Sequence, residues 1–137
     1  MEKSKVYFIK KINSENLIKI YDALGVNLSG KVGVKISTGE PGRHNFLNPN
    51  LIKDLVKKIN GTIIECCTAY GGKRQDSKDH WQAIKDHDFY DIAPCDIMDE
   101  FEIPINNGFH LDKDIVGEHL KKYNSILMLS HFKGHAM

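Results

Sequence analysis

Short apolar runs alternate with longer stretches of helical period along this chain, and this alternation constrains its fold more than any other feature. Parallel strands must be joined by crossover connections, which are usually helices, so the alternation is typical of a parallel sheet. The run near the end of the chain is continuously apolar, which predicts a strand buried on both faces. We therefore predict an α/β fold with a mostly parallel sheet flanked by helices, and with strands at residues 6–9, 31–36, 62–66 and 125–130.

Capping residues mark the predicted helices. Asn48 followed by Pro49 is a typical helix start, because Asn accepts a hydrogen bond from a free backbone N–H and Pro suits the first helical position. Gly25 suits a helix end, because glycine readily adopts the left-handed conformation. We predict a first helix that Ser14 caps and that ends at Gly25. Three further helices are predicted from Asn48-Pro49 to Asn60-Gly61, from Asp76 or Ser77 to about His87, and from Asp112 or Asp114 to about Tyr123.

The stretch from residue 91 to residue 111 has a different pattern. It contains two short runs with strand character, around Ile97-Met98 and at residues 103–105. Asn106-Asn107-Gly108 is typical of a hairpin turn, and Pro104 favours a sheet edge or a position outside the main sheet, because proline lacks a backbone N–H. We therefore predict a small hairpin insertion around residues 91–111.

The composition is that of a folded domain, with 41% hydrophobic and 27% charged residues and a formal net charge of +1. Proteins that bind nucleic-acid phosphates usually carry a clustered basic excess and several arginines, whereas only Arg43 and Arg74 are arginines in this sequence. The apolar run at residues 6–9 is too short for a signal peptide or a membrane span. We expect a single domain over residues 1–137, located in the cytoplasm, with no nucleic-acid partner and no membrane partner.

The cysteines, Cys66, Cys67 and Cys95, do not form a metal-binding pattern. Without a Cys-x-x-Cys pair or a fourth cysteine, neither a zinc site nor a complete iron–sulfur site can be built from thiolates. Free cysteine is among the most buried residue types. We predict small core residues, with Cys66 as the candidate for a reactive thiol because it stands at a strand end.

Loops rich in glycine, histidine and basic residues follow three of the predicted strands, at residues 37–45, 68–74 and 131–135. The carboxyl ends of parallel strands meet at one edge of a sheet, where ligands bind in open α/β folds. Glycine lets a backbone approach a ligand, and Arg, Lys and His donate hydrogen bonds to carboxylate or phosphate oxygens. We predict a small anionic ligand, and the candidate binding residues are Thr38, Gly39, Arg43, His44, Gly71, Gly72, Lys73, Arg74, Lys133 and Gly134.

Two histidines and a lysine stand directly after the last predicted strand, at His131, Lys133 and His135. His131 and His135 could hold a divalent metal with a third ligand from elsewhere. They could instead contact the ligand or transfer a proton, or be exposed, and Lys133 could hold an anion as a point charge. The candidate third metal ligands are His44, His80 and Asp96.

Other polar residues have simpler interpretations. Asp96, Asp99 and Glu100 form an acidic cluster, which could serve acid–base chemistry or a hard cation but is more simply a solvated strand edge. His80 and His87 lie on a predicted helix, where we expect them on the exposed polar face.

Residues 71–77, 96–100 and above all 129–137 resemble the domain-of-unknown-function family 362, whose members are often labelled uncharacterised iron–sulfur centre proteins. The resemblance implies that His131, Lys133 and His135 belong to a shared site. It also implies that the chain is the amino-terminal part of a longer architecture, with a missing carboxyl-terminal domain as its partner. A 4Fe-4S cluster is implied for full-length relatives only, because this sequence lacks the cysteines that would bind it.

Three hypotheses about function follow. The first is an enzyme-type or redox-associated domain that holds a small anionic ligand or cofactor in its loops. The second is a non-catalytic module that forms homo-oligomers through its last strand, and the third is a metal-binding protein centred on His131 and His135. The sequence does not decide whether the protein is an enzyme.

Overall fold

A computed structural model describes residues 3–100, 102–106, 110, 113–132 and 134. Helices and strands alternate over most of this part of the chain. In the described residues the helices are α1 (Ser14–Ala23), α2 (Pro49–Lys58) and α3 (Ser77–Asp86), and the strands are β1 (Val32–Lys35), β2 (Gly61–Glu65), β3 (Cys95–Ile97), β4 (Glu102–Ile105), β5 (Asp114–Gly117) and β6 (Ser125–Met128).

The main sheet contains β1, β2, β3 and β6 in the spatial order β3-β2-β1-β6. Every neighbouring pair of these strands is parallel. Lys35 at the end of β1 lies opposite both Ile64 of β2 and Met128 of β6, so the carboxyl ends of these three strands share one edge of the sheet. The predicted α/β fold with a mostly parallel sheet is confirmed.

Local capping determines where the helices begin. Asn48 accepts a hydrogen bond from the backbone of Asn50 before α2, as predicted. The side chain of Asp76 accepts one from the backbone of Asp79 before α3. The prediction that Ser14 caps α1 is wrong by one residue, because Asn13 takes that position and the Ser14 hydroxyl donates to Asp54 instead.

The hydrophobic core lies between the main sheet and the helices. Strands β1, β2 and β3 bury branched apolar side chains, and α2 and α3 present the apolar faces that the helical period predicts. Phe89, just after α3, is fully buried beside them. The core side chains are Val34, Ile36, Ile52, Val56, Ile63, Ile84, Phe89 and Ile97.

Strands β4 and β5 form a separate antiparallel pair, in which Pro104 lies opposite Ile115. A hairpin outside the main sheet is therefore present, but it extends to Gly117, and the strand predicted around Ile97-Met98 belongs to the main sheet as β3. Asn107 and Gly108 of the predicted turn lie outside the described residues.

The helix predicted from residue 112 or 114 to residue 123 is wrong. Strand β5 occupies its first half, and a short 3-10 segment, Glu118–Lys122, occupies its second half. The β-branched Ile115 and Val116 favour a strand. At Gly117 a Cβ atom would collide with the backbone carbonyl of Met98, so close packing against that turn requires glycine here.

The two ends of the described chain also differ from prediction. Residues 6–9 form no strand, and Val6 and Phe8 are 90% and 85% exposed. Strand β6 is not buried on both faces, because it lies at the edge of the sheet and Met128 is 64% exposed. Among the described helices, none has both the length and the apolar composition that crossing a bilayer requires.

Candidate functional site

Two loops lie side by side at the carboxyl edge of the main sheet. They are the β1–α2 loop (residues 36–48) and the β2–α3 loop (residues 66–76). Their strands are parallel neighbours, so both loops leave the sheet at the same edge. The structure thus brings together the first two of the three loops that the sequence singles out.

Glu65, the last residue of β2, lies at the centre of a buried polar network beneath these loops. Its Oε1 accepts a hydrogen bond of 2.7 Å from Arg74 Nη1, and its Oε2 accepts one of 2.9 Å from the backbone N–H of Thr38. Burial by itself raises the pKa of Glu65, but the hydrogen bonds from His80 and Thr38, with the charge of Arg74, outweigh burial, and the pKa is lowered. Glu65 is therefore an ionised carboxylate at neutral pH.

Arg74 joins the two loops. Its Nε and Nη2 atoms donate to Glu40 Oε1 over 2.9 Å and 2.6 Å, and Nη2 also contacts the Tyr70 hydroxyl at 3.2 Å. Burial by itself lowers the pKa of Arg74, but Glu40 and Glu65 outweigh this effect and raise it. The guanidinium is thus committed to two carboxylates of the protein, which makes Arg74 a structural residue.

Thr38 links this network to two histidines. His80 Nε2 lies 3.1 Å from Glu65 Oε2 and 3.2 Å from Thr38 Oγ1. His87 Nδ1 lies 2.7 Å from the carbonyl oxygen of Thr38. A carbonyl oxygen only accepts hydrogen bonds, so His87 carries its proton on Nδ1.

The prediction that His80 and His87 are exposed is wrong, because both are buried. His80 and His87 are separated from Ile84 by four and three residues, so they share the buried face of α3 and its carboxyl end. This spacing in the sequence could have predicted that both histidines are buried. Of the buried side-chain polar atoms in the described part of the chain, His80 Nδ1 is without a hydrogen-bond partner.

In the described part of the chain, two cavities border the β1–α2 loop, and a third, of about 540 Å³, lies at the β2–α3 loop and Asp99. The small cavity, of about 260 Å³, is lined by Gly39, Glu40, Arg43, Asn45, Tyr70 and Arg74. The large cavity, of about 860 Å³, lies between the β1–α2 loop, the amino-terminal end of α2 and the segment after α3. Residues of its wall include Arg43, His44, Phe46, His87, Asp88 and Asp91.

The predicted ligand-binding residues of the first two loops have different positions. Arg43 lines both cavities, His44 lines the large one, and Gly39 lines the small one. Thr38 and Arg74 are buried in the network, where they support the loops. Gly71, Gly72 and Lys73 are exposed in the β2–α3 loop.

The third predicted segment follows β6, at the same sheet edge. His131 and Gly134 are exposed, and within the described residues no hydrogen bond or ion pair joins His131 to either loop. Lys133 and His135 lie outside the described residues. Binding by this segment stays a prediction.

The described residues contain no group of three or more His, Cys, Asp or Glu side chains that could hold a metal ion. Of the proposed third ligands, His80 is buried against Glu65, and Asp96 is held by two other side chains. The metal site at His131 and His135 therefore stays a prediction.

The cysteines belong to no group of three or more metal-ligating side chains among the described residues. All three are free and partly buried, and Cys67 and Cys95 pack against the core. Burial raises the pKa of Cys66 and of Cys95 to about 12, so both are protonated thiols at neutral pH. Nucleophilic reactivity needs the thiolate, so the structure does not favour a reactive Cys66.

Two members of the acidic cluster accept hydrogen bonds instead of forming a solvated edge. Asp96 accepts from His119 Nδ1 and from the Tyr123 hydroxyl, each over 2.7 Å. Asp99 accepts from the backbone N–H of Cys67 over 2.6 Å. The partners of both aspartates are distant in sequence, so the local sequence pattern could not predict these hydrogen bonds. The side chain of Glu100 lies outside the described residues.

A comparison with protein families agrees with the resemblance noted in the sequence. The model of the family described as Domain of unknown function (DUF362) matches residues 32–137, from β1 onward. This description names neither an activity nor an iron–sulfur cluster. No curated protein and no solved structure matches the sequence. Because the family model covers most of the sequence, the chain belongs to the DUF362 family.

Proposed function

We propose that the protein binds a small anionic ligand at the carboxyl edge of the main sheet, with Arg43 as its principal contact. The observation that carries the proposal is the position of Arg43, an exposed residue with a cationic side chain that belongs to the lining of both cavities. Within the part of the chain that the structure describes, this side chain has no hydrogen-bond or ion-pair partner. Its guanidinium is therefore available to a carboxylate or phosphate, which it can bind through two parallel hydrogen bonds.

Two features of the surroundings support an anion next to Arg43. The large cavity reaches Asn48, Pro49 and Asn50 at the amino-terminal end of α2, where the helix dipole favours negative charge and the Asn50 N–H is already taken by the Asn48 side chain. The network of Glu40, Glu65 and Arg74 fixes the loops, so little order has to be gained when a ligand binds. Arg74 itself is already neutralised, which leaves the role of cation to Arg43.

Titration with inorganic phosphate and with acetate at low ionic strength, followed by ¹H–¹⁵N NMR, tests this proposal. We expect shifts around Arg43 and an affinity about tenfold lower in Arg43→Gln. Lys57→Gln is the matched control, because Lys57 is exposed near the carboxyl end of α2 and the substitution removes the same charge. Equal losses in both variants, or no shifts in the wild type, would exclude Arg43 as an anion contact.

Assembly through β6 is the second candidate function. Among the described residues β6 pairs with β1 alone, and Ile126, Met128 and the following Phe132 are exposed apolar side chains. An unpaired apolar edge is suited to strand pairing with another copy. Sedimentation of the wild type and of Met128→Lys at high protein concentration tests this function. We expect the wild type to form an oligomer and the variant to form less of it. A monomeric wild type would exclude this function.

A further inference from the structure

The large cavity contains opposite charges that do not pair with each other. Arg43 lies on its wall together with Asp88 and Asp91, and all three are exposed. In the described residues neither Asp88 nor Asp91 has a side-chain hydrogen bond or ion pair. A third carboxylate on this wall, that of Asp86, accepts a hydrogen bond from Gln82. The cavity therefore has one unpaired cation, two unpaired anions and one hydrogen-bonded anion on its wall.

His87 adds a hydrogen-bond acceptor to this wall. The residue is only 8% exposed, and its ring stacks on Phe46 with 4.1 Å between the ring centroids. Nδ1 donates to the Thr38 carbonyl, so Nε2 of the neutral ring carries a lone pair. No described residue is a partner of Nε2, and it is not among the buried unpaired atoms, so it reaches the surface of the cavity.

These groups define what a ligand must offer. His87 Nε2 and the two carboxylates can accept hydrogen bonds from N–H or O–H donors, and the carboxylates favour a positive charge, whereas Arg43 favours an anion. A metal ion does not fit, because the described residues hold no cluster of three or more ligating side chains. An organic ammonium group does fit, because it needs no complete set of protein ligands: one charge-assisted hydrogen bond and the charge of a nearby carboxylate hold it, and water accepts from its remaining N–H groups.

We infer that the large cavity binds a small zwitterion, with its carboxylate or phosphate on Arg43 and its protonated amine against His87, Asp88 and Asp91. Binding of the anionic group by Arg43 rests on the proposed function, whereas the binding site for the amine is new. The cavity volume of about 860 Å³ lies within the range of small-molecule sites. The stack of Phe46 on His87 and the hydrogen bond from Nδ1 to Thr38 orient the acceptor before the ligand arrives.

A matched set of probes tests the inference: 4-aminobutyrate and glycine as zwitterions, butyrate and acetate as the corresponding anions, and butylammonium as the cation. Affinities come from ¹H–¹⁵N NMR titration of the wild type. We expect at least one zwitterion to bind about tenfold more tightly than its matched anion, because its amine adds charge-assisted hydrogen bonds. Equal affinities would overturn the amine site and leave the anion site intact, whereas zwitterion binding that Arg43→Gln does not weaken would overturn the anion site.

The double variant Asp88→Asn, Asp91→Asn tests whether the two carboxylates bind the amine. Both residues are exposed, and asparagine tolerates the positive φ of 61° at Asp88, so we expect the variant to fold. The preference for the zwitterion should disappear while anion affinity stays unchanged or rises. Asp79→Asn, an exposed carboxylate on α3 outside the cavity wall, is the control. A preference that survives the double variant would contradict the inference.

Long-range ¹H–¹⁵N spectra of the histidine rings give a separate readout for His87. We expect the neutral ring to carry its proton on Nδ1, and the Nε2 resonance to move when the zwitterion is added but not when butyrate is added. A proton on Nε2 in the unbound protein, or an Nε2 resonance that does not respond to the zwitterion, would remove His87 from the site.

Discussion

Glu65 and Arg74 form a buried ion pair, in which 2.7 Å separates Glu65 Oε1 from Arg74 Nη1 and each side chain is 4% exposed. Glu65 ends β2, and Arg74 lies in the loop that follows, so the pair closes this loop back on its own strand. Arg74 also contacts Glu40 of the neighbouring loop. The pair therefore fixes both loops that surround the small cavity.

Removal of the cation from this pair should destabilise the protein strongly. Arg74→Met keeps an unbranched side chain but leaves Glu65 buried without its counter-charge, so we expect the free energy of unfolding to fall by about 3 kcal/mol. Urea denaturation followed by circular dichroism measures the change. Lys57→Met, at an exposed position, should change stability by less than about 0.5 kcal/mol. Similar small changes in both variants would contradict the structural role of Arg74.

The lowered pKa of Glu65 predicts acid sensitivity. A carboxyl group with a lowered pKa in the folded protein stabilises the fold above its unfolded pKa, about 4.3 for Glu, and this contribution is lost as the pH falls through the folded pKa. We expect the free energy of unfolding to fall below about pH 5, with a shallower fall in Glu65→Gln. Urea denaturation at a series of pH values measures both slopes. Asp79→Asn should keep the wild-type slope, and a wild-type slope in Glu65→Gln would refute the assignment.

The helices could be predicted because their signals are local. Asn48, Pro49 and Gly25 act on backbone groups within a few residues, and the structure has them at the helix ends where the sequence predicts them. The strand at Asp114–Gly117 could not be predicted in this way, because its conformation depends on pairing with β4 and on the contact of Gly117 with Met98. Asp114 is a suitable helix cap, but pairing with β4 gives this segment a strand conformation instead.

The candidate site could be predicted only in part. The rule that parallel strands end at one edge places Gly39 and Arg43 beside Arg74, as the structure has them. The rule does not show that Glu40 and Glu65 neutralise Arg74, because those contacts depend on side chains from two other segments. The burial of His87 likewise depends on its partner Thr38, which is distant in sequence.

Tyr123 should hold Asp96 in its ionised form. Burial by itself raises the pKa of Asp96, but hydrogen bonds from His119 and Tyr123 outweigh it, and the pKa is lowered. Tyr123→Phe removes one of the two donors, so we expect the pKa of Asp96 to rise and stability at neutral pH to fall by about 1 kcal/mol. NMR titration of the Asp96 carboxyl carbon and urea denaturation measure the two effects. Tyr90→Phe, at an exposed tyrosine, should leave both unchanged, and an unchanged Asp96 pKa in Tyr123→Phe would rule out this role.

Gly39 and Gly42 allow backbone strain to be separated from packing within one loop. Both have a positive φ, 82° and 71°, but a Cβ at Gly39 would lie 2.7 Å from Phe46 Cδ1, whereas a Cβ at Gly42 would meet nothing within 4 Å. We expect Gly42→Ala to cost about 1 kcal/mol from its left-handed backbone alone. Gly39→Ala should cost at least about 1 kcal/mol more, because Phe46 has to move.

Movement of Phe46 should also be visible at His87, since the two rings stack with an interplanar angle of 14°. The ring protons of His87 lie in the shielding region of Phe46, so their NMR signals should shift in Gly39→Ala and stay unchanged in Gly42→Ala. Urea denaturation of both variants gives the stability difference. Equal costs together with unshifted His87 signals would mean that Gly39 serves only the backbone turn and does not position the wall of the large cavity.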